Sequence, residues 1–266
     1  MPLVSVEPVH DHIRLITLNN PGRLNSMSFA LVEDLYGALH EVAADNRCRV
    51  VVLTGAGRAF CSGLELEHAG NPPGTEHLGR HAMGMRAMEY MGGVVPAMRT
   101  LPQPIVAAIR GPAYGGGMCL TLGADIRLAG RSAVFCGAGI NNGLSGVELG
   151  VSWLLPRAVG TSHSSEILLT GRKVDADEAL RIGLVSRVVE DDEVVDQAVA
   201  MAEGMVRLSP FGLALTKETL WASLEVGSLQ SAVALENRTQ LLAGHTGNLQ
   251  EASAAFREKR PAVYTE

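Results

Sequence analysis

The feature that most constrains this chain is a pair of glycine turns, each placed directly after a short apolar run. Val50 to Thr54 leads into Arg58-Ala-Phe-Cys-Ser-Gly-Leu-Glu-Leu66, and Ile105 to Ile109 leads into Gly111-Pro-Ala-Tyr-Gly-Gly-Gly-Met118. The runs read as strands, and each turn reads as opening a helix. Glycine tolerates backbone conformations closed to other residues. At a helix N-terminus it leaves N–H groups uncovered, where partial positive charge favours an oxyanion. If the two turns converge, their amides form an oxyanion hole for a carbonyl.

Around the turns, Val4 to Val6 and Ile13 to Leu18 read as an opening hairpin with a polar turn at His10-Asp-His12. The spacing of Leu31, Leu35, Leu39 and Val42 predicts a helix capped by Ser26 or Ser28. Cys119 to Ala124 predicts a buried helix, with strands at Ile126 to Leu128 and Ala133 to Phe135. The order strand, glycine turn, helix, strand thus recurs as a weak internal repeat of pattern. Alternating strands and helices point to an α/β fold. From Asp191 to Arg260 the signals are helical, including Ser209-Pro210 as cap and first turn, which divides the chain into a core over 1–190 and a helical region over 191–266.

Composition excludes several classes. The net charge of −6 argues against a broad nucleic-acid surface, which needs clustered Lys and Arg. No apolar run is long enough to span a bilayer, and Met-Pro-Leu-Val-Ser-Val-Glu at the N-terminus does not read as a targeting segment, so a soluble protein with no membrane partner is expected. Cys48, Cys61, Cys119 and Cys136 lack metal-ligand spacing and read as reduced thiols in a cytoplasmic setting. The stretch over 67–80, with Gly70, Pro72, Pro73, Gly74 and Gly79, reads as a loop able to act as a lid. His77 and His81 sit four apart, with His68 nearby. No third ligand has convincing spacing, so they read as solvated residues and no metal is expected.

Several segments together resemble the enoyl-CoA hydratase/isomerase, or crotonase, superfamily. They are Pro21-Gly-Arg-Leu-Asn-Ser-Met27, Ala-Phe-Cys-Ser-Gly-Leu-Glu at 59–65, the glycine triplet at 115–117 with Ala124-Asp125-Ile126, and Leu155-Pro-Arg-Ala-Val-Gly160. Leu169-Thr-Gly171, Gly183-Leu-Val185 and Ala255-Phe-Arg-Glu-Lys-Arg260 complete the set. The resemblance implies a spiral core of repeated ββα units, a C-terminal helical trimerisation region, and homotrimers or dimers of trimers. It also implies a coenzyme A thioester as substrate, with coenzyme A entering as part of it and no separate cofactor. Carried over by motif, the carbonyl-binding amides are those of Leu64 and Gly116. Arg23 and Arg58 fall near the phosphates, Ser62 near the pantetheine, and Phe256 and Lys259 at the nucleotide end; a solvated surface role is the alternative for the basic residues.

The chain departs from the pattern at the catalytic acids. Hydratases of this family use two glutamates, one as base and one as acid. The first position is Cys119 here and the second is Ile140, and Ile126 to Val147 contains no Asp or Glu. Glu148 remains, at a position resembling the functional aspartate of dienoyl-CoA isomerases and chlorobenzoyl-CoA dehalogenases. A lone carboxylate beside an acyl chain is desolvated and becomes a usable proton carrier. The alternative is that Glu148 caps the helix expected near Val151. Cys119 reads as buried packing rather than a nucleophile, and Asp125 as a structural brace for the strand after its helix. Enoyl-CoA hydratase is the family-default activity, with isomerisation by Glu148 alone or acyl-CoA binding without chemistry as alternatives.

Overall fold

A computed structural model describes residues 2–67 and 69–265. The chain opens with the antiparallel strands β1 (Val4–His10) and β2 (Ile13–Leu18). The strand β1 runs past the expected end at Val6, because pairing continues to Pro8 opposite Arg14 before a register shift. Proline is tolerated there since β1 lies at the sheet edge. Helix α1 (Phe29–Ala44) starts at Ser28, the second of the two serines expected as cap, whose side chain accepts a hydrogen bond from the Leu31 amide.

Next come β3 (Val50–Gly55), α2 (Arg80–Gly92), α3 (Val94–Thr100), β4 (Ile105–Ile109), β5 (Pro112–Tyr114) and α4 (Gly116–Gly123). After them are β6 (Ile126–Gly130), β7 (Val134–Cys136), α5 (Val151–Thr170, bent at Gly160), β8 (Lys173–Asp175), α6 (Ala176–Arg181) and β9 (Arg187–Val189). Four helices close the chain: α7 (Val194–Val206), α8 (Pro210–Ser223), α9 (Leu229–Gly244) and α10 (Asn248–Glu258).

The strands form a six-stranded sheet in the order β1-β2-β3-β4-β6-β9, parallel from β2 onward, and a three-stranded sheet in the order β5-β7-β8. The expected repeat is visible in this division. β4 and β6 each run in the large sheet, and the chain then turns to place β5 and β7 side by side in the small one. After β3 only a single bridge, Cys61 to Ala113, continues the small sheet. The first glycine turn therefore does not open a helix, contrary to the sequence expectation. Leu64 bridges back to Met27, and helix is delayed to Arg80 by the glycines and prolines at 70–79, which suit neither helix interior nor strand.

The parallel strands are buried on both faces, which is why they read as unbroken apolar runs. In β3, Val51 and Leu53 join the main core with α1 and α3, while Val50 and Val52 face α7 in a second cluster with Val106, Ala108 and Leu128. The helix α7 thus belongs structurally to the sheet. Among the described residues, no single helix is long and apolar enough to cross a membrane.

One buried ion pair fastens the last helices to this core. Asp125 Oδ2 accepts from the Ile105 amide at 2.7 Å and pairs with Lys217 Nζ at 2.9 Å, while its Oδ1 accepts from Trp221 Nε1 at 2.7 Å. Asp125 is structural as its sequence context suggests, but it braces β4 and α8 rather than β6. Lys217 is 4% exposed and also donates to the Met98 and Gln103 carbonyls. Burial pulls its pKa down. Removing the carboxylate strands this cation, so Asp125→Ala is expected to lower unfolding free energy by about 3–5 kcal/mol. Urea denaturation checks this, and a loss of well under 1 kcal/mol contradicts it.

Candidate active site

The two glycine turns meet backbone to backbone. Gly63 has φ +91°, and a Cβ there would stand 2.7 Å from the Tyr114 carbonyl oxygen. Gly115 has φ +50°, and a Cβ there would stand 2.9 Å from Glu148 Oε1 and 3.9 Å from the Gly63 Cα. Only glycine satisfies both the conformation and the space. The Tyr114 amide donates to the Cys61 carbonyl, and the Cys61 amide to the Pro112 carbonyl, which locks the turns together.

This arrangement frees two amides. Met27 N donates to the Gly63 oxygen at 2.7 Å and Glu65 N to the Met27 oxygen at 3.1 Å. In such a parallel bridge the residue between those two partners, Leu64, turns its own N–H to the opposite side. Gly116 is the first residue of α4, so its N–H has no acceptor one turn earlier. Among the described residues neither amide donates an internal hydrogen bond. Both residues line a cavity of about 270 Å³, together with Glu148, Met27, Met91 and Leu149.

Glu148 is the acidic residue of that cavity. Burial pushes its pKa above the ordinary value of 4.5. Among the described residues its carboxylate accepts no hydrogen bond, and burial alone accounts for the shift. The backbone around it is fixed: its carbonyl accepts from the Val151 amide at 2.9 Å and from Cys119 Sγ at 3.5 Å. The cap position of α5 is held by Gly150 with no side-chain cap bond, so Glu148 does not cap that helix through its side chain. Leu149 sits in the left-handed region at φ 46°, a conformation costing roughly 1 kcal/mol for a residue with a side chain.

The positions where hydratases carry glutamates are differently placed. Cys119 is 1% exposed, and burial lifts its thiol well above the ordinary range, so it is neither thiolate nor nucleophile. Its neighbour Cys61 is pushed up to about 12 by the same cause. Ile140 is exposed and does not line the cavity.

The remaining expected residues are spread more widely. Arg23 makes ion pairs with Glu65 at 3.5 Å and Glu67 at 3.6 Å. Arg58 is exposed, and Ser62 is half-buried with its amide bound to the Leu24 carbonyl. Phe256 is 86% exposed and Lys259 caps α10 at φ 53°; neither lines the cavity. His77 and His81 are exposed, and His68 lies outside the described residues. Among the described residues no three His, Cys, Asp or Glu side chains are grouped to hold a metal. Met27, Met91 and Leu149 carry no sequence signal that assigns them to the site, because ordinary apolar residues do not reveal which cavity they face.

The sequence model of the enoyl-CoA hydratase/isomerase family matches residues 9–266. The chain belongs to that family. It is 50% identical, over 99% of this chain and 93% of the relative, to a protein of Mycobacterium bovis named probable enoyl-CoA hydratase. The crystal structure of a probable enoyl-CoA hydratase/isomerase from Mycobacterium abscessus superposes with a TM-score of 0.93 at 44% identity, covering 98% of each chain. A monofunctional enoyl-CoA isomerase from M. smegmatis superposes with a TM-score of 0.75 at 43% identity, over 88% of this chain and 99% of that one. The protein is thus an acyl-CoA enzyme of the hydratase/isomerase family with the crotonase fold.

A raised carboxyl pKa carries a sign that stability measurements read. The folded state disfavours ionised Glu148, so this residue destabilises the fold above its folded pKa and stops doing so below the unfolded value. Glu148→Gln is expected to be more stable than wild type at pH 7, with the difference shrinking as pH falls through the raised folded value and gone once pH is below 4.5. Chemical denaturation across that range checks it; a pH-independent difference contradicts it.

Proposed function

We propose that the protein moves a proton on an unsaturated acyl-CoA, with the Leu64 and Gly116 amides holding the thioester oxygen and Glu148 as the acid–base group. The observation that carries this reading is the cavity shared by two amides without internal acceptors and one desolvated carboxylate. Glu148 removes a proton from carbon next to the thioester, and the electron pair spreads onto the thioester oxygen. Two fixed N–H dipoles stabilise that enolate. Returning the proton two carbons along shifts the double bond, with Glu148 regenerated. One carboxylate suffices for this cycle, and no resident cofactor enters it.

Hydration is the second reading, favoured by the hydratase name of the 50% identical relative. In it Glu148 both positions water and supplies the proton, a double task that two glutamates share in the hydratases the sequence resembles.

Arg23, Arg58 and Ser62 are assigned to the coenzyme A moiety, and Phe256 and Lys259 to its nucleotide end. These assignments rest on motif position. Subunits are assigned to trimers or dimers of trimers: α9 buries none of its 16 residues, and Leu229, Leu241, Leu242 and Leu249 are exposed in the isolated chain. Such apolar surface is the mark of a protein interface.

The test supplies crotonyl-CoA, a 3-enoyl-CoA and a dienoyl-CoA, following double-bond migration and water addition together. Migration without hydration is expected. Glu148→Gln is expected to lower kcat by about 10²- to 10⁴-fold while affinity for an inert acyl-CoA changes by no more than a few-fold. Full turnover by the variant contradicts the role given to Glu148.

A further inference from the structure

A second, larger cavity of about 670 Å³ lies beside the first. The two share Gly92 and Leu149, and the same two walls continue from one to the other. On one wall Met88, Met91 and Gly92 pass on to Val95 and Pro96; on the other, Val147 to Leu149 pass on to Gly150 and Trp153. A chain leaving the thioester between Leu64 and Gly116 and passing Glu148 therefore points towards the larger chamber. We propose that this chamber receives the distal part of the acyl group, and that this part is large, uncharged and ring-bearing. The inference rests on the reading of the smaller cavity as the thioester site.

Size excludes a short chain as the matched ligand. At about 30 Å³ per water-sized group, the smaller cavity corresponds to roughly nine such groups and the larger to roughly twenty. A four-carbon acyl group ends within the first and leaves the second unfilled. The chamber's volume lies in the range of sites that enclose sizeable ligands.

The walls favour a ring over a flexible tail. Two indoles, Trp153 and Trp221, face the chamber with Leu101 and Leu154. Trp221 is held by its bond to Asp125, and the Arg99 guanidinium lies 3.1 Å from its ring centre and 5.2 Å from that of Trp153. Arg157 lies 3.8 Å from the Trp153 ring centre. A guanidinium thus covers one face of each indole, and the fixed stack of Arg99 with the indole edges accepts an aromatic or alicyclic ring by offset or edge contact. A ring also loses fewer rotatable bonds on binding than a straight chain of equal carbon number. The charged residues on the lining are Arg99, Glu218 and Glu225. Two acids against one base disfavour a terminal carboxylate on the ligand, hence an uncharged tail.

Calorimetric titration of the full-length protein with saturated, inert thioesters tests this without requiring turnover. The probes are butyryl-CoA, decanoyl-CoA and 4-phenylbutyryl-CoA, the last two having equal numbers of acyl carbons. The phenyl compound is expected to bind about tenfold or more tightly than butyryl-CoA, as burial of the added apolar group predicts, and about threefold more tightly than decanoyl-CoA, because the ring gives up fewer rotations on binding. Ala214→Phe and, separately, Ala222→Leu fill the α8 side of the chamber, and in whichever variant retains the wild-type circular dichroism the phenyl advantage over butyryl-CoA is expected to fall below about threefold. Equal affinity for phenylbutyryl- and butyryl-CoA, tighter binding of decanoyl-CoA, or a phenyl advantage that survives in the folded variants overturns the proposal. Failure of all three thioesters to bind the wild type removes the thioester site and this inference with it. Tight butyryl-CoA binding without a ring preference removes the inference alone.

Discussion

Contact between the two glycine turns governs the rest of the structure. Gly63 lies against the Tyr114 carbonyl, Gly115 against Glu148 and the Gly63 Cα, and the Cys61 to Ala113 bridge joins the segments. Side chains at either glycine would push the turns apart. Each turn inherits its position from a strand of the same parallel sheet, β3 for one and β4 for the other, so the sheet register sets the separation of the two amides. The fold thereby delivers a pair of N–H groups whose internal partners the backbone geometry has removed. A buried donor left without a partner costs on the order of 1–3 kcal/mol, a cost that an acceptor entering the cavity offsets.

Glu148 complements this pair in the same way. Its carboxylate has burial but no compensating hydrogen bond among the described residues, which leaves its charge under the control of whatever occupies the cavity. The strained Leu149 and the adjacent Gly150, both at positive φ, set the direction of this segment just before α5 begins. Behind it the Cys119 thiol bonds the Glu148 carbonyl, so the residue standing where a hydratase has a glutamate fixes the backbone of the remaining acid. Structural support reaches further back through Asp125, Lys217 and Trp221, which tie α8 to the sheet and so form one side of the larger chamber.

Much of this was legible in the sequence where local chemistry decides structure. Ser28 and Ser209 cap their helices because a hydroxyl there meets a free amide, and the apolar runs at 50–54 and 105–109 are strands because both sheet faces are covered. Leu64, Gly116 and Glu148 lie on one cavity. The helix expected directly after Gly63 failed: glycine at a strand end signals a turn but not the type of the next element, and the Pro72-Pro73-Gly74 run decided it downstream. The chamber was not legible at all. Gly92, Trp153 and Trp221 are far apart in sequence, and only the packing of α2, α3, α5 and α8 brings them to one space.

The central claim is that two backbone amides hold one thioester oxygen with Glu148 alongside. A crystal structure of the protein with bound butyryl-CoA measures it directly. The account predicts the thioester oxygen within about 2.7–3.1 Å of both the Leu64 and Gly116 nitrogens, with the Glu148 carboxylate facing the carbon next to the thioester. A thioester oxygen bound by neither amide, or a Glu148 side chain turned out of the cavity, would contradict it.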